Sequence, residues 1–329
     1  MPTSAEFKGI QNIGQDTYSD ILRANIISFI DWGLINNGGF FNVTIPTSGI
    51  YGGNGKEVLK PTKDPRYSDG QVWQAQRGNW VWQSGLKTQI QPIQCSGVQV
   101  DGNFYPLNTS GTYSHYIDYP RGRIVFNNPI SLNSVVKAEY SYKWVNVVDA
   151  RDYTFLKTMQ FDSLNTSNVQ FNSIGSGDYD KTIDTRLQLP LIAIDVSNRT
   201  RMVGYEIGNA SNYVYKTIIC DIYGENDRNS NKLNDILTYQ KDKTIYLYDT
   251  NEISRQRRFP LDSRGSINSG ALTYPQLTEP SSLGGFRLIN NCTGTLLFKD
   301  AEGVNGSWIS PTLYYSIVKY QTESILTVK

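Results

Sequence analysis

The sequence predicts a mainly β protein with an α+β part: an N-terminal helix, a β-sandwich-like middle domain and a C-terminal domain of order β-β-β-α-β. Three observations predict this class. The 329 residues include 22 Tyr and 28 Gly, which favour strands and the turns between them. Residues 136–144 alternate between apolar and polar side chains, as a half-buried strand does. Residues 17–37 carry apolar side chains at spacings of three and four, the pattern of one helical face.

Composition narrows the class of protein further. The chain carries 31 Lys and Arg against 30 Asp and Glu, a formal charge of +1, and 39% of its residues are hydrophobic. This balance excludes a strongly basic nucleic-acid binder and an acidic disordered chain. The length predicts two domains, or one large β domain with additions. We divide the chain into an arm and helix over 1–39, the β-sandwich-like domain over 40–150 and the α+β domain over 151–329.

The first predicted element is an amphipathic helix that follows an exposed arm of residues 1–16. Thr17 and Asp20 can cap its start, and Gly38 and Gly39 can end it. We expect its apolar face to pack on this chain or on a neighbouring chain. The members of that face are Tyr18, Ile21, Leu22, Ile26, Phe29 and Ile30.

The middle domain is predicted as a set of short strands with tight turns between them. Residues 72–82 read as a hairpin around the turn 77–79, and this hairpin carries Trp73, Trp80 and Trp82. Further strands are expected near 98–100, 116–118, 122–126 and 135–148. Strands at such short intervals are typical of a sandwich or a barrel.

The C-terminal domain is predicted to begin with three strands, at 187–196, 202–207 and 213–223. A helix that starts after Gly224 places Leu233, Ile236 and Leu237 on one face, and a strand at 243–249 follows. More antiparallel strands are expected at 287–289, 294–298 and 314–320.

Catalytic motifs are sparse in this sequence. His115 is its single histidine, no Gly-x-Ser-x-Gly or His-Glu-x-x-His occurs, and Gly55-Lys56 is followed by Glu57 rather than Ser or Thr. Carboxylate pairs such as Asp149 with Asp152, or Asp178 with Asp180, are best interpreted as solvated loop residues. We therefore expect no enzyme activity, no catalytic residue, no cofactor and no metal.

The cysteines and the apolar segments of the sequence indicate the cellular compartment in which the protein is expected. Cys95, Cys220 and Cys292 are odd in number and widely spaced, which favours buried thiols in a reducing cytoplasm over a disulfide. We expect neither a secretory signal nor a membrane-spanning segment.

Two clusters of side chains, one of tryptophans and one of arginines, are candidate binding sites. Trp73, Trp80 and Trp82 could stack on sugar rings, but a core or intersubunit contact is the favoured interpretation. Arg255, Arg257 and Arg258, followed by Arg264, could contact phosphates in a multimer, but a solvated loop is favoured.

Three features together suggest a family. Residues 187–249 have the order strand, paired strands, helix and closing strand. Within them, the stretch Ile222-Tyr223-Gly224-Glu225-Asn226-Asp227 forms a strand-to-helix junction, and Tyr119-Pro120-Arg121-Gly122-Arg123-Ile124-Val125-Phe126 reads as a turn and strand. The chain resembles the neck and tail-terminator (tail-completion) proteins of tailed bacteriophages. The resemblance covers about a third of the chain, and its motifs are structural rather than catalytic.

The resemblance implies a virion structural protein, assembled in the host cytoplasm, that forms a ring of about six copies and joins the connector to the tail tube or sheath. Its partners would be other copies of itself and neighbouring neck, tube or sheath proteins, with weak DNA contact if the basic loop faces the lumen. The alternative is a carbohydrate-binding or carbohydrate-active β protein. The interface candidates are Tyr18, Leu22, Phe29, Trp73, Trp80, Trp82, Arg255, Arg257 and Arg258.

Overall fold

A computed structural model describes residues 12–46, 55–152, 188–204, 211–279, 285–288, 294–310 and 313–327. The protein is mainly β, with an N-terminal helix and curled sheets. The predicted fold class is therefore confirmed. Several sequence-based expectations lie outside the described residues: most of the N-terminal arm, most of the Gly-rich stretch near 48–55, the pair Asp178 and Asp180, and Cys292.

The N-terminal helix, α1, spans Tyr18–Asn36, within one residue of its predicted bounds. Asp20 accepts hydrogen bonds from the backbone N–H and the hydroxyl of Thr17, which closes the expected capping box. The helix ends where Gly38 adopts a φ of 85°, a conformation that glycine tolerates without a steric penalty.

The middle region folds into a single seven-stranded sheet beside a two-stranded ribbon. Its strands are β1 (Phe40–Val43), β2 (Val58–Pro61), β3 (Val72–Gln74), β4 (Gly97–Val100), β5 (Asn103–Pro106), β6 (His115–Asp118), β7 (Arg123–Phe126), β8 (Val136–Lys137) and β9 (Tyr140–Lys143). The sheet has the order β5-β4-β8-β2-β3-β7-β6, and β1 pairs with β9. A core of buried Trp, Tyr, Val and Ile side chains stabilises both.

The predicted hairpin over 72–82 is wrong. Strand β3 pairs with β2 and β7, and Trp80 instead forms an isolated bridge with Tyr142. Asn79 adopts a φ of 53°, as a turn residue can, but its N–H donates to the carbonyl of Pro120 rather than across a local hairpin. Pairing with strands distant in sequence buries both sides of this segment, which a two-stranded hairpin cannot do.

The C-terminal sheet also has seven strands, and it carries the other helices. In chain order these elements are β10 (Asn146–Asp149), β11 (Leu191–Val196), β12 (Arg201–Gly204), β13 (Ser211–Gly224), α2 (Asp227–Thr238), β14 (Thr244–Tyr246), α3 (Thr250–Gln256), α4 (Tyr274–Leu277), β15 (Thr295–Ser310) and β16 (Leu313–Thr327). The sheet order is β10-β11-β13-β16-β15-β14, with β12 also paired to β13. The predicted order β-β-β-α-β is confirmed for β11 to β14.

Three details of this sheet differ from the predicted one. Strands β15 and β16 are far longer than the expected segments and form one long hairpin with two other strands at its sides. Arg287 makes an isolated bridge with Tyr248 rather than belonging to a strand. Strand β10 falls within the predicted middle domain, yet it pairs in parallel with β11.

Helix α1 packs on the C-terminal sheet of its own chain. Its side chains Leu22 and Ile26 are fully buried in one core with β11, β13, β16 and α2. Asn25 is also buried, and its amide donates to the carbonyls of Ile21 and Tyr248 while its oxygen accepts the Tyr248 N–H. The helix therefore belongs to the C-terminal core in space, although residues 40–145 separate the two in sequence.

We expect Leu22→Ala to lower the free energy of unfolding by about 2–5 kcal/mol, because it leaves a cavity beneath α1. The matched control is Ile90→Ala, since the Ile90 side chain is highly exposed on the middle domain. Urea denaturation followed by circular dichroism measures both changes. Equal midpoints for the two variants would show that α1 contributes little to the core.

Candidate functional site

The basic cluster lies on a surface loop, residues 255–268, which we call the basic loop. Helix α3 leads into it and ends at Arg257, whose φ of 53° turns the chain. Arg255 pairs with Glu252 one turn earlier in α3. Arg257, Arg258 and Arg264 are exposed and have no carboxylate partner in the part of the chain that the structure describes. Predicted to be a solvated loop, this segment presents unpaired guanidinium groups to solvent.

The basic loop docks on the edge strand of the middle sheet. Gly265 accepts a hydrogen bond from the N–H of Tyr119 at 3.1 Å, and the Ser266 hydroxyl donates to the carbonyl of Ile117 at 2.7 Å. Gly265 adopts a φ of 84°, and a Cβ there would lie 2.5 Å from a carboxylate oxygen of Asp118. A glycine is therefore required for the loop to approach β6 this closely.

A buried ionic network lies directly beneath this docking point. Arg123 is 1% exposed, and its guanidinium donates to Asp118 at 2.9 Å and to Asp64 at 3.0 Å. Arg66 and Arg121 reach the same two carboxylates from the surface, and about half of each of their side chains is exposed. The network thus has three arginines and two aspartates, with the excess positive charge on the solvent side.

The hydrogen bonds from the Arg66 guanidinium hold the pKa of the Asp64 carboxyl well below its usual range, and the nearby Arg123 charge acts in the same direction. Next to the network, the hydroxyls of Tyr67 and Tyr116 are 2.6 Å apart. Burial raises the pKa of the Tyr116 hydroxyl, with the Tyr67 contact as a second cause. Asp64 is therefore charged and Tyr116 neutral at neutral pH.

Aromatic rings support several of the surface arginines. The Arg264 guanidinium lies 5.4 Å from the ring centre of Tyr116, and that of Arg258 lies 5.7 Å from the ring centre of Phe286. Arg287 packs closer still, 4.0 Å from the ring centre of Tyr246. Such contacts restrain long side chains that would otherwise sample many rotamers.

A second ionic network fastens α1 to the C-terminal sheet. Arg23, almost fully buried, lies within 3.5 Å of carboxylate oxygens of Asp20, Asp149 and Asp195. Arg151 joins Asp20 and Asp149 from the surface. Asp149 is therefore an ion-paired strand residue, and the expectation of a solvated loop carboxylate is wrong for it. Burying its partner Arg23 makes the pairing necessary.

The structure moves three of the predicted interface residues into the interior. Trp73 and Trp80 are each 1% exposed, and Leu22 is fully buried under α1. The indole N–H of Trp80 donates to the carbonyl of Arg77, and its ring stacks on Tyr140 with centres 4.1 Å apart. The interface assignment is therefore wrong for Trp73, Trp80 and Leu22, because their large apolar surfaces fill this chain's own cores.

The other predicted aromatic positions have mixed environments. Trp82 is half-buried against the middle core. Tyr18 and Phe29 are half-buried too: the Tyr18 hydroxyl contacts that of Ser324, and the Phe29 ring packs on Phe298. These three residues contact their own chain while keeping part of their surface in solvent.

The structure also exposes apolar residues that the sequence did not single out. One set consists of Phe104 on β5, Leu107 just after β5, and Leu132 and Val135 in the segment before β8; we call these residues the distal patch. The second is Trp308 on β15, which we call the hairpin patch; Val304 is also exposed, but it lies on the opposite face of the sheet because a β-bulge separates the two residues. Phe104 is 57% and Trp308 64% exposed.

His115 is buried beside Phe126 on the inner side of β6. Its Nδ1 lies 2.8 Å from the carbonyl of Tyr113, so that nitrogen carries the proton and donates it. Its Nε2 is buried without a hydrogen-bond partner. Burial lowers the pKa of His115, because a second proton on Nε2 would have no acceptor. The expectation that His115 faces solvent or lies at a core edge is replaced by a buried, neutral side chain.

Comparisons with protein-family models, with curated proteins and with solved structures find no match to this chain. Among the described residues, no group of three or more His, Cys, Asp or Glu side chains is placed to hold a metal ion. None of the described helices is long and apolar enough to cross a membrane. Cys95 and Cys220 are buried free thiols, as expected for both.

We expect Arg123→Gln to cost about 3–5 kcal/mol of folding stability, because it leaves two buried carboxylates without their shared partner. Arg66→Gln removes an exposed partner of Asp64 and should cost about 1 kcal/mol or less. Thermal and urea denaturation of the two variants would measure the difference. Comparable losses would mean that Arg123 does not organise the network.

A pH prediction follows from His115. Its folded pKa is lowered, so the unfolded chain takes up this proton first, and stability should fall as pH drops below about 6.5. The His115→Gln variant cannot bind that proton and should lack this part of the slope. Urea midpoints between pH 7.5 and pH 5 test the difference. Parallel curves for the two proteins would show that His115 is solvated in solution.

Proposed function

We propose that this chain is a non-enzymatic structural protein of a tailed-phage virion, which forms a ring at the head–tail neck or at the tail terminus. In this proposal the ring joins the connector to the tail tube or sheath, and about six copies close it. The sequence resemblance over residues 187–249 is the basis for the proposed position in the virion and for the proposed symmetry of the ring. The structure contributes the surfaces through which such a chain could assemble.

The observation that carries the proposal is the pair of unlike apolar patches. The distal patch lies on the middle sheet and the hairpin patch lies on β15 of the C-terminal sheet. Aromatic side chains are enriched at protein interfaces, and Trp is prominent among residues that dominate binding energy. Two different patches on separate sheets suit a head-to-tail interface, which closes into a ring when its rotation permits.

The ionic networks support a structural rather than a catalytic role. Asp64 and Asp118 are bound to the buried Arg123, and Asp149 is bound to Arg23 and Arg151. A carboxylate whose oxygens are bound by arginines within the fold is poorly placed to contact a substrate. These acids stabilise the fold, and their geometry favours rigidity at the places where sheets, helix and loop meet.

The carbohydrate alternative loses the feature that motivated it. A sugar platform needs exposed aromatic faces, but Trp73 and Trp80 are enclosed in the middle core. Trp82 keeps partial exposure, and one half-buried ring makes a poor platform. We therefore develop the assembly proposal alone.

Single substitutions in each patch test the proposed interface with the full chain. We expect Phe104→Ser and Trp308→Ser each to weaken self-association by at least tenfold, because each removes one half of the contact. Ile90→Ser and Tyr239→Ser are matched controls, since both side chains are highly exposed but lie outside the two patches. Light scattering after size exclusion and negative-stain microscopy measure the assemblies.

Mixing the two defective variants sharpens this test. In a head-to-tail interface, the intact Trp308 of one variant meets the intact Phe104 of the other, so an equimolar mixture should form 1:1 dimers and no rings. A wild-type protein that stays monomeric at assembly concentrations would contradict the proposal. A mixture without dimers would contradict the head-to-tail pairing of these patches.

A further inference from the structure

We propose that the basic loop and the adjoining arginines of the middle sheet form one surface that binds the phosphate backbone of duplex DNA. This inference rests on the proposed ring, because a ring at the head–tail junction encloses a lumen through which DNA passes. It adds to the predicted weak DNA contact a defined binding surface, which the sequence cluster at 255–264 covers only in part.

The first step is the local charge. The exposed arginines of this surface are Arg66, Arg121, Arg255, Arg257, Arg258 and Arg264, with the buried Arg123 beneath them, and the carboxylates that contact them or lie within the loop are Asp64, Asp118, Glu252 and Asp262. Seven positive charges therefore face four negative ones. The whole chain carries a formal charge of +1, so the excess is concentrated here, and concentrated positive charge is what attracts polyanions.

The second step is the direction in which the carboxylates point. Asp64 and Asp118 are each only 3% exposed and bind Arg123 in the interior, whereas Arg66 and Arg121 extend toward solvent. Asp262 accepts the backbone N–H groups of Arg264 and Ser266 and so closes the turn of the loop. Guanidinium groups therefore predominate in the outer layer of this surface, because Asp64 and Asp118 are buried and only Glu252 and Asp262 reach solvent.

The third step is rigidity. Gly265 and Ser266 fix the basic loop to β6, and the Tyr116 and Phe286 rings support Arg264 and Arg258. Side chains that are already ordered lose less conformational entropy when they bind. A guanidinium group also offers paired N–H donors that match two phosphate oxygens. The surface is thus organised before any DNA arrives.

The fourth step is the choice of partner. The arginines extend from the end of α3, along the loop, to the turn before β7, so they can meet several charges in a row rather than a single ion. The backbone of a DNA duplex offers regularly spaced phosphates, and such contacts are independent of base sequence. An acidic protein segment is the competing partner, and the experiment includes it.

The test uses the full-length chain and a fluorescent 30-base-pair duplex of mixed sequence. Anisotropy titrations at 50, 100 and 200 mM NaCl give the affinity and its salt dependence. The variant Arg257→Gln/Arg258→Gln/Arg264→Gln removes three guanidinium groups that have no carboxylate partner among the described residues. We expect it to bind at least tenfold more weakly at 50 mM NaCl and to lower the slope of log affinity against log salt by about 2–3.

The matched control is Arg199→Gln/Arg201→Gln/Arg228→Gln. It changes the net charge of the chain by the same amount at exposed positions of the C-terminal sheet and α2, away from the basic loop. We expect its affinity to stay within about twofold of wild type. Poly-glutamate of the same total charge is added as a competitor, and it should displace DNA poorly.

Three results would overturn the inference: a wild-type chain that does not bind the duplex at 50 mM NaCl, a control triple variant that loses as much affinity as the loop variant, or poly-glutamate that competes as well as unlabelled duplex. Light scattering measures separately whether the chain forms rings. A chain that forms rings but does not bind DNA would refute this inference alone, and a monomer that binds DNA through the loop would refute the ring alone.

Discussion

Burial of Arg123 between Asp64 and Asp118 is the constraint on which the arrangement of the molecule's main candidate surface depends. Asp118 and Arg123 are direct cross-strand partners on β6 and β7, and Asp64 reaches them from the segment between β2 and β3. A guanidinium this deeply buried must keep both partners, since an unpaired buried charge costs several kcal/mol. The hairpin of β6 and β7 is therefore held in one register, with its turn fixed at the surface.

That fixed turn determines where the basic loop can lie. The loop approaches the backbone of β6 through Gly265 and Ser266, next to the Asp118 side chain that the network immobilises. Two parts of the chain that are more than a hundred residues apart thereby share one surface. The same device recurs at α1, where Arg23 is held by three carboxylates and joins the helix to β10 and β11. In both places a buried arginine joins elements that are distant in sequence.

The proposed functions depend on three surfaces that these junctions leave exposed: the distal patch, the hairpin patch and the basic surface. The distal patch and the hairpin patch lie on different sheets, and the basic surface lies where the C-terminal loop meets the middle sheet. A head-to-tail ring would pair the two apolar patches of neighbouring copies and leave the guanidinium groups available to a polyanion. Apolar contacts supply most of the affinity at protein interfaces, while phosphate contacts are weakened by salt, so the two kinds of surface can be separated experimentally.

The sequence by itself determined the elements whose signal is local. The capped, periodic stretch at 17–37 became α1, and the order of strands and helix from 191 to 246 followed from apolar stretches and from the helical spacing of Leu233, Ile236 and Leu237 after Gly224. The arginine cluster at 255–264 was also visible, because adjacent charges need no fold to be recognised.

Only the tertiary structure determined which segments these elements pack against and pair with. The sequence favoured either a core or an intersubunit contact for the tryptophans at 73 and 80, and long-range strand pairing placed them in the core. Arg66 and Arg121 joined the basic surface although nothing near them in sequence links them to the loop. The physical reason is the range of the interactions: capping and periodicity act within a few residues, whereas burial and ion pairing act between segments that only the folded chain brings together.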